Sequence, residues 1–529
     1  MKTISQIQLI LFTSIFLILF DNYSFFSNLI NVYPLDINLD FVISTGIVLL
    51  SVTILLFTML SSKLTTKPIL ILIIVISSMT NYFMNTYHVV IDDTMLRNTL
   101  QTDLHESMDL LSIKQGLYFI FLGLMPAYFI YKTPLKYRTF KQELWRKLKV
   151  IVLSILIIAS SLFLFSKYYT SFFREHKPLR YTVNPIYWMY SVGKYINLTY
   201  NSGSIAMKTR GVDAVIDEHN QSKKLVIMVV GEAARADHFS LNGYKRNTNP
   251  KLQEEDIINF PHTYSCGTAT AVSVPCMFSL LDRENYSYKK GRSQENVIDV
   301  LNHTKKVALL WRDNNSDSKG VALRIAHEDY RVPKNNTICV EGECRDIGML
   351  VGLDDFIAKQ KGKDILIVLH QMGNHGPAYY KRYTKAYEKF TPVCRTNQLE
   401  ECSQEEIANA YDNAILYTDN FLSQVIGFLK KYDKTHQTAM LYMADHGESL
   451  GENGLYLHGL PYFMAPDAQK HIGALLWLGE ESKKHLDVAH LKQISEQTFS
   501  QDNLADSLLG LFQVKTEVYR PDMDIFHAE

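Results

Sequence analysis

The chain has 529 residues, room for two or three domains, and 47% of them are hydrophobic. Its 54 Lys and Arg balance 54 Asp and Glu, so the formal charge is zero and the basic stripe of a nucleic-acid binder is missing. The apolar residues crowd into the first third, which sets that part apart from an ordinary soluble fold.

Apolar stretches at about Ile4–Phe20, Phe41–Leu60, Pro68–Val90, Gly116–Tyr131 and Val150–Phe165 predict a five-helix transmembrane bundle. A bilayer core takes about 17–25 mostly apolar residues, and the first and last stretches are at the short end of that range. A cleaved signal peptide accounts for the first stretch and leaves the others unexplained. The loop after the fourth stretch carries Lys132, Lys136, Arg138, Lys141, Arg146, Lys147 and Lys149 against Glu143; the loop after the second carries Lys63 and Lys67. The positive-inside rule puts both in the cytoplasm. Asp21, Asp36 and Asp40 after the first stretch, and Asp92, Asp93, Asp103, Glu106 and Asp109 after the third, mark outward loops. Everything beyond residue 166 then lies outside, in the periplasm of an inner-membrane protein. The expected domains are a transmembrane domain at 1–166, an interfacial bridging segment at 167–219 and a periplasmic catalytic domain at 220–529. In the bridge, aromatic residues such as Tyr168, Tyr169, Phe172, Phe173 and Trp188 mix with Lys and Arg, which suits lipid headgroups.

From about residue 220, short β-rich runs alternate with helical ones. Lys224–Val230, Val307–Trp311, Ile365–Leu369, Ala439–Met443 and Ala474–Leu478 predict strands, several of them continuously apolar as strands buried on both faces are. Glu405–Tyr432 predicts a helix with Tyr411, Ile415, Leu422, Val425 and Leu429 on one face. The alternation predicts an α/β sandwich around a mostly parallel sheet. All six cysteines lie in this part, as the near pairs Cys266 with Cys276, Cys339 with Cys344 and Cys394 with Cys402. Their spacing is not that of a thiolate metal site, and short disulfide loops in an oxidising compartment fit it better; the connectivity stays open.

Polar residues fall where these strands end. Glu232 follows the first; Arg312, Asp313 and Asn315 the second; His370 and His375 the third; Asp445 and His446 the fourth. Ligands of open α/β sheets bind outside the carboxyl ends of the strands, so acids and imidazoles converge on one edge. Glu232, Asp445, His446, His375 and His458 form a carboxylate–imidazole set suited to zinc, less specifically to manganese. The run Ser265-Cys266-Gly267-Thr268-Ala269-Thr270 precedes a predicted helix, Ala271–Leu281, whose positive end would favour an activated hydroxyl. Spacing leaves Thr268, Thr270 and Ser273 open as the nucleophile, and an N-cap is the plain alternative for Thr270.

Five ordered blocks now stand out: Gly231-Glu232-Ala233-Ala234-Arg235-Ala236-Asp237-His238; Cys266 through Cys276; Trp311-Arg312-Asp313-Asn314-Asn315 with Lys319; His370-Gln371-Met372-Gly373-Asn374-His375-Gly376-Pro377; and Asp445-His446-Gly447-Glu448-Ser449-Leu450-Gly451-Glu452 through His458. Together with the preceding spans they resemble the lipid A phosphoethanolamine transferases, which include the mobile colistin-resistance enzymes. The resemblance implies the alkaline phosphatase and sulfatase fold. It implies a zinc site of Glu232, Thr270, Asp445 and His446, with Thr270 as nucleophile and a second metal position left open. His375 and His458 match histidines near the headgroup and that second position; Asn315 and Lys319 match contacts to the substrate phosphate. Asn98, Thr102 and Glu106 match a patch near the donor headgroup, and the cysteines match three periplasmic bridges.

The implied reaction passes phosphoethanolamine from phosphatidylethanolamine through a phosphoethanolamine-threonine intermediate to a lipid A phosphate. Diacylglycerol leaves, with His375 as its candidate proton donor, and resistance to cationic polymyxins is favoured. The enzyme is expected to be a monomer embedded in the membrane. The other readings are the same chemistry on a core sugar of lipooligosaccharide, and a phosphoglycerol transferase or sulfatase of the same superfamily. A transporter is disfavoured because the spans hold almost no charged residue to line a path.

Overall fold

The computed structural model describes residues 3–101, 110–174, 176–200, 207–217, 222–340 and 342–527. The chain divides into two units, Met1–Leu96 with Leu111–Asn197, and Arg97–Leu110 with Leu198–Glu529.

The first unit is helical. Its helices are α1 (Gln6–Phe20), α2 (Tyr23–Val32), α3 (Leu35–Leu60) and α4 (Thr66–Tyr87); α5 (Asp93–Gln101) follows them across the division between the units. Then come α6 (Ile113–Lys132), α7 (Phe140–Leu164), α8 (Ser166–Arg174) and α9 (Ile186–Tyr200). Among the described residues four helices are long and apolar enough to cross a membrane: α3, α4, α6 and α7. The first predicted span departs from expectation. At 15 residues α1 rises only about 22 Å, short of a bilayer core, and it bends by 57° into α2. A fifth span exists if the bent pair is counted as one. Asn22 explains the bend, because its side-chain amide donates to the Leu17 and Asn184 carbonyls and so competes with helical hydrogen bonding.

The last span starts ten residues earlier than its apolar stretch. Lys141, Arg146, Lys147 and Lys149 are good helix formers and lie on its first turns rather than in a loop. Leu153, Ile155 and Leu156 of α7 are 58, 49 and 57% exposed, an apolar surface fit for lipid. The segment expected as an interfacial bridge is helical and partly packed: Tyr169, Phe172 and Leu179 are buried in one cluster with Phe41 and Phe25.

The second unit is built on a seven-stranded sheet. Its strands are β1 (Lys223–Gly231), β2 (Ile257–Asn259), β3 (Val307–Asp313), β4 (Ala326–Asp329), β5 (Asp364–His370), β6 (His436–Ala444) and β7 (Ala474–Leu478). They lie in the order β2-β7-β6-β1-β5-β3-β4. The five from β6 to β4 run parallel, and β7 and β2 each run antiparallel to the strand before. The short β2 and β4 at the edges escape sequence patterning, since three or four residues carry too little periodicity.

Alternation along the strands feeds two cores. Leu225, Ile227 and Val229 of β1 pack toward one face with Ile365, Ile367 and Leu369 of β5, while Val226, Met228 and Val230 pack toward the other. Helices α10 (Thr270–Met277), α11 (Val297–His303), α12 (Gln404–Lys430) and α13 (Leu504–Leu511) supply the covering layers. Ser403 and Glu406 form a capping box that starts α12, and its Tyr411, Ile415, Leu422, Val425 and Leu429 are each 0% exposed. Truncating one of the aliphatic residues to Ala would cost about 2–5 kcal/mol.

Candidate active site and metal centre

The parallel register brings the strand ends level. Ala444 of β6 pairs with Gly231 of β1, and His370 of β5 pairs with Val230 and with Asp313 of β3. The chain therefore leaves the sheet at neighbouring points, and Glu232, Asn315, Asp445 and His446 emerge side by side, none more than 1% exposed.

Thr270 opens α10 next to them. Ala269 takes the N-cap position, so the Thr270 hydroxyl is not consumed as a cap. It lies 3.2 Å from Glu232 Oε2 and 3.3 Å from His446 Nε2. The Thr268 hydroxyl donates instead to the Leu460 carbonyl at 2.6 Å, and the buried Ser273 Oγ has no hydrogen-bond partner among the described residues. Of the three hydroxyls that spacing leaves open, Thr270 is the one at the acids and imidazoles. The Cys266–Cys276 disulfide closes the loop that carries it; Cys339–Cys344 and Cys394–Cys402 also form.

His446 is in a tautomer that can ligate a metal. Its Nδ1 donates to the Gly447 carbonyl at 2.8 Å, which leaves the lone pair on Nε2. Nε2 is 3.3 Å from Asp445 Oδ2 and 3.5 Å from Glu232 Oε1. Burial holds this imidazole below its usual pKa of 6.5, hence neutral. Asp445 Oδ1 accepts from the Ala233 and His446 amides at 3.1 and 2.7 Å, while Oδ2 is buried without a hydrogen bond among the described residues. An orphaned carboxylate oxygen beside a second buried carboxylate is costly without a cation. Ligand atoms of Glu232, Asp445 and His446 lie within 4.8 Å of one another. With the Thr270 hydroxyl they make a four-donor oxygen and nitrogen set of the kind zinc takes.

The backbone around Glu232 is held tightly. Gly373 has φ +49°, and a Cβ there would sit 3.0 Å from the Glu232 carbonyl oxygen, so the approach requires glycine. Ala233 also has positive φ, 50°, fixed by its N–H bond to Asp445 and by the Tyr411 hydroxyl on its carbonyl at 2.6 Å. Gln501 joins the two working loops: Nε2 donates to the Ala444 and Asp445 carbonyls, and Oε1 accepts the Cys266 N–H. Nothing in the sequence around Gln501 marks this role.

A second group adjoins the first. Ligand atoms of His446, Glu448 and His458 also lie within 4.8 Å of one another. His458 Nδ1 is 2.8 Å from Glu448 Oε2, and the rings of His446 and His375 stand 4.2 and 6.0 Å from that of His458. Glu448 was not among the predicted site residues; its signal is its place three residues after Asp445. Burial, and then the Arg382 charge, push His375 well below its ordinary pKa, so it is neutral. His370 lies beneath the site, paired with Asp313 at 3.2 Å.

Asn315 donates both amide hydrogens inward, to Glu232 Oε2 at 2.8 Å and to the Gln371 carbonyl at 2.9 Å. In this geometry it orients Glu232. Lys319 has φ +49° and lines a cavity beside the site. Asn98 is on α5; Thr102 and Glu106 lie outside the described residues.

Two family descriptions match the chain: "Phosphoethanolamine transferase EptA/EptB" over residues 49–200 and "Sulfatase" over residues 224–514. Phosphatidylethanolamine transferase Mcr-1 of Escherichia coli is 44% identical over 528 residues, 98% of this chain and 96% of that one. Phosphoethanolamine transferase EptA of E. coli K12 is 38% identical, covering 96% of this chain and 94% of its own length. The integral membrane lipooligosaccharide phosphoethanolamine transferase A of Neisseria meningitidis superposes with a TM-score of 0.95 over 99% of both chains, at 34% identity.

Proposed function

Because this chain belongs to the phosphoethanolamine transferases of the EptA and Mcr type, we propose that it moves phosphoethanolamine from phosphatidylethanolamine to a phosphate of lipid A. The observation that carries this reading is the Thr270 hydroxyl, held at a helix start between a buried carboxylate and the lone pair of a neutral imidazole.

In the first step the bond from Thr270 Oγ1 to phosphorus forms and the bond from phosphorus to the diacylglycerol oxygen breaks. The hydroxyl proton has an acceptor in Glu232 Oε2, 3.2 Å away. Asn315 keeps that carboxylate oriented. His375, neutral and beside the site, has one N–H to offer the departing alkoxide. In the second step an acceptor phosphate oxygen attacks phosphorus, the bond to Thr270 breaks, and the hydroxyl is restored. Glu232, Thr270, Asp445 and His446 would hold a zinc ion, with His375, His458 and Glu448 near a second position. When bound, the metal supplies Lewis-acid stabilisation of the phosphoryl oxygens and lowers the hydroxyl pKa. Lys319 would add positive charge toward the same oxygens, and Asn98, Thr102 and Glu106 would meet the donor headgroup.

Residues 1–166 would anchor the protein in the inner membrane, 167–219 would lie at the interface, and 220–529 would catalyse transfer in the periplasm. The basic loops on one side and acidic loops on the other support that orientation. An added ethanolamine brings positive charge to lipid A and so weakens attraction of cationic polymyxins.

Mass analysis of lipid A and, separately, of core oligosaccharide tests the reading in Gram-negative cells expressing wild type or Thr270→Ala. A phosphoethanolamine increment on lipid A, lost in the variant, is expected. An increment on the core alone would move the acceptor to a sugar; an unchanged increment in Thr270→Ala would remove the nucleophile.

A further inference from the structure

A cavity of about 100 Å³, several times the ~10–15 Å³ that one water needs, lies in the second unit. Its wall includes Tyr286, Tyr288, Arg292, Gln294, Lys319 and Arg324. Pro275 of α10 also borders it, so the cavity and the Thr270 hydroxyl share one helix.

The wall, with the Arg97 side chain stacked on its Tyr288, is over-supplied with donors and positive charge. Two guanidiniums attend the Tyr288 ring, with Arg97 Cζ 3.4 Å and Arg292 Cζ 5.4 Å from its centroid. Arg97 groups with the second unit and is 3% exposed, yet its Nε and Nη2 have no hydrogen-bond acceptor among the described residues. The buried Gln294 Nε2 has none either. Arg292 donates to the Tyr288 hydroxyl at 2.9 Å. The nearby acids are already engaged: Glu295 Oε2 accepts from His303 Nε2 at 2.8 Å and the Arg210 N–H at 3.0 Å, and Asp299 holds Arg324. A buried guanidinium with unmet donors needs an explanation, and an anion supplies one.

We propose that this cavity seats the phosphomonoester of a phosphorylated glycolipid acceptor, gripped by Arg97 and Arg292. The proposal rests on the transferase reading and names the acceptor's place in it. Charge decides between the two substrates. The donor headgroup carries an ammonium, which a wall of cations with its carboxylate engaged repels. A phosphomonoester approaches two negative charges and accepts the forked, charge-assisted bonds that arginine offers.

The test uses the purified, zinc-loaded full chain in detergent micelles containing phosphatidylethanolamine. Diacylglycerol release without acceptor reports the donor step; transfer to a phosphorylated disaccharide lipid reports the whole reaction. Arg292 is exposed, so Arg292→Ala should fold; Arg97→Gln is the second variant. Each should raise the acceptor KM about ten-fold, the loss expected for one charge-assisted hydrogen bond, with kcat and acceptor-free diacylglycerol release near wild type. An unchanged acceptor KM in both variants, or a raised donor KM in its place, would overturn the proposal. Absence of diacylglycerol release from wild type would overturn the reading of the reaction, and the proposal with it.

Discussion

The hydroxyl of Tyr379 donates to Glu448 Oε1 at 2.7 Å inside the second unit. Burial, and then the Glu448 charge, push this phenol well above its ordinary pKa, so it stays a donor. The other Glu448 oxygen is 2.8 Å from His458 Nδ1, so Tyr379 stands two steps behind the imidazoles. Tyr379→Phe should lower kcat about ten-fold, since a hydrogen bond to a charged group contributes about 1.5–3 kcal/mol. A variant with wild-type kcat and only a lowered Tm would make the pair purely structural.

Metal removal should act through Asp445, whose Oδ2 is buried without a hydrogen bond among the described residues. A strong chelator should abolish transfer and lower Tm, and zinc should restore both, because an ion that binds only the folded state stabilises it. Asp445→Asn should weaken zinc binding by more than the roughly 10–100-fold that outer-shell changes cause. Metal content and chelator competition measure this. Restoration by manganese alone would sink the zinc assignment.

The Cys266–Cys276 bridge spans 10 residues and encloses Thr270. Replacing both cysteines by serine should cost about 2–3 kcal/mol of stability and, in addition, lower kcat. The Cys394–Cys402 bridge, with a separation of 8, is the control. Its double serine variant should lose similar stability with kcat intact. Equal kcat in the two variants would mean that the first bridge does not position Thr270.

Lys224 offers a pH test away from the site. It is 4% exposed, its Nζ has no hydrogen-bond partner among the described residues, and burial lowers its pKa to about 8 despite the pull of Asp364. The unfolded chain holds that proton up to about pH 10.4. Between about 8 and 10.4 the unfolded state therefore binds more protons, and this residue's contribution makes stability rise with pH. Below about 8 the penalty is fully present. Lys224→Met should raise Tm at pH 7, reflecting a gain in stability of about 3 kcal/mol, with the gain shrinking at pH 9.5. A gain independent of pH would assign the effect to packing.

Much of the architecture is legible in one sequence because it is written in local patterns. Continuous apolar runs mark β1, β3, β5, β6 and β7, and every predicted strand lies within its observed one. The 3.6-residue stripe on α12 names residues that are fully buried. Boundaries are less legible where propensity and hydropathy disagree, as at the basic start of α7. The break between α1 and α2 is invisible, because it depends on Asn22 reaching Asn184, 162 residues away.

By itself the sequence determined an apolar helical anchor, an α/β domain, and acids and imidazoles delivered to one sheet edge. Those follow from periodicity and from the rule that strands end where ligands bind. Where spacing left Thr268, Thr270 and Ser273 open and the family resemblance pointed to Thr270, the tertiary structure brings Thr270 to Glu232 and His446 and turns Asn315 onto Glu232. It also recruited Glu448 and Gln501. The physical reason is direction. Spacing along a chain says which residues approach a site, but the path of a side chain's hydrogen bonds is set by partners tens to hundreds of residues away, once the sheet has brought their strand ends level.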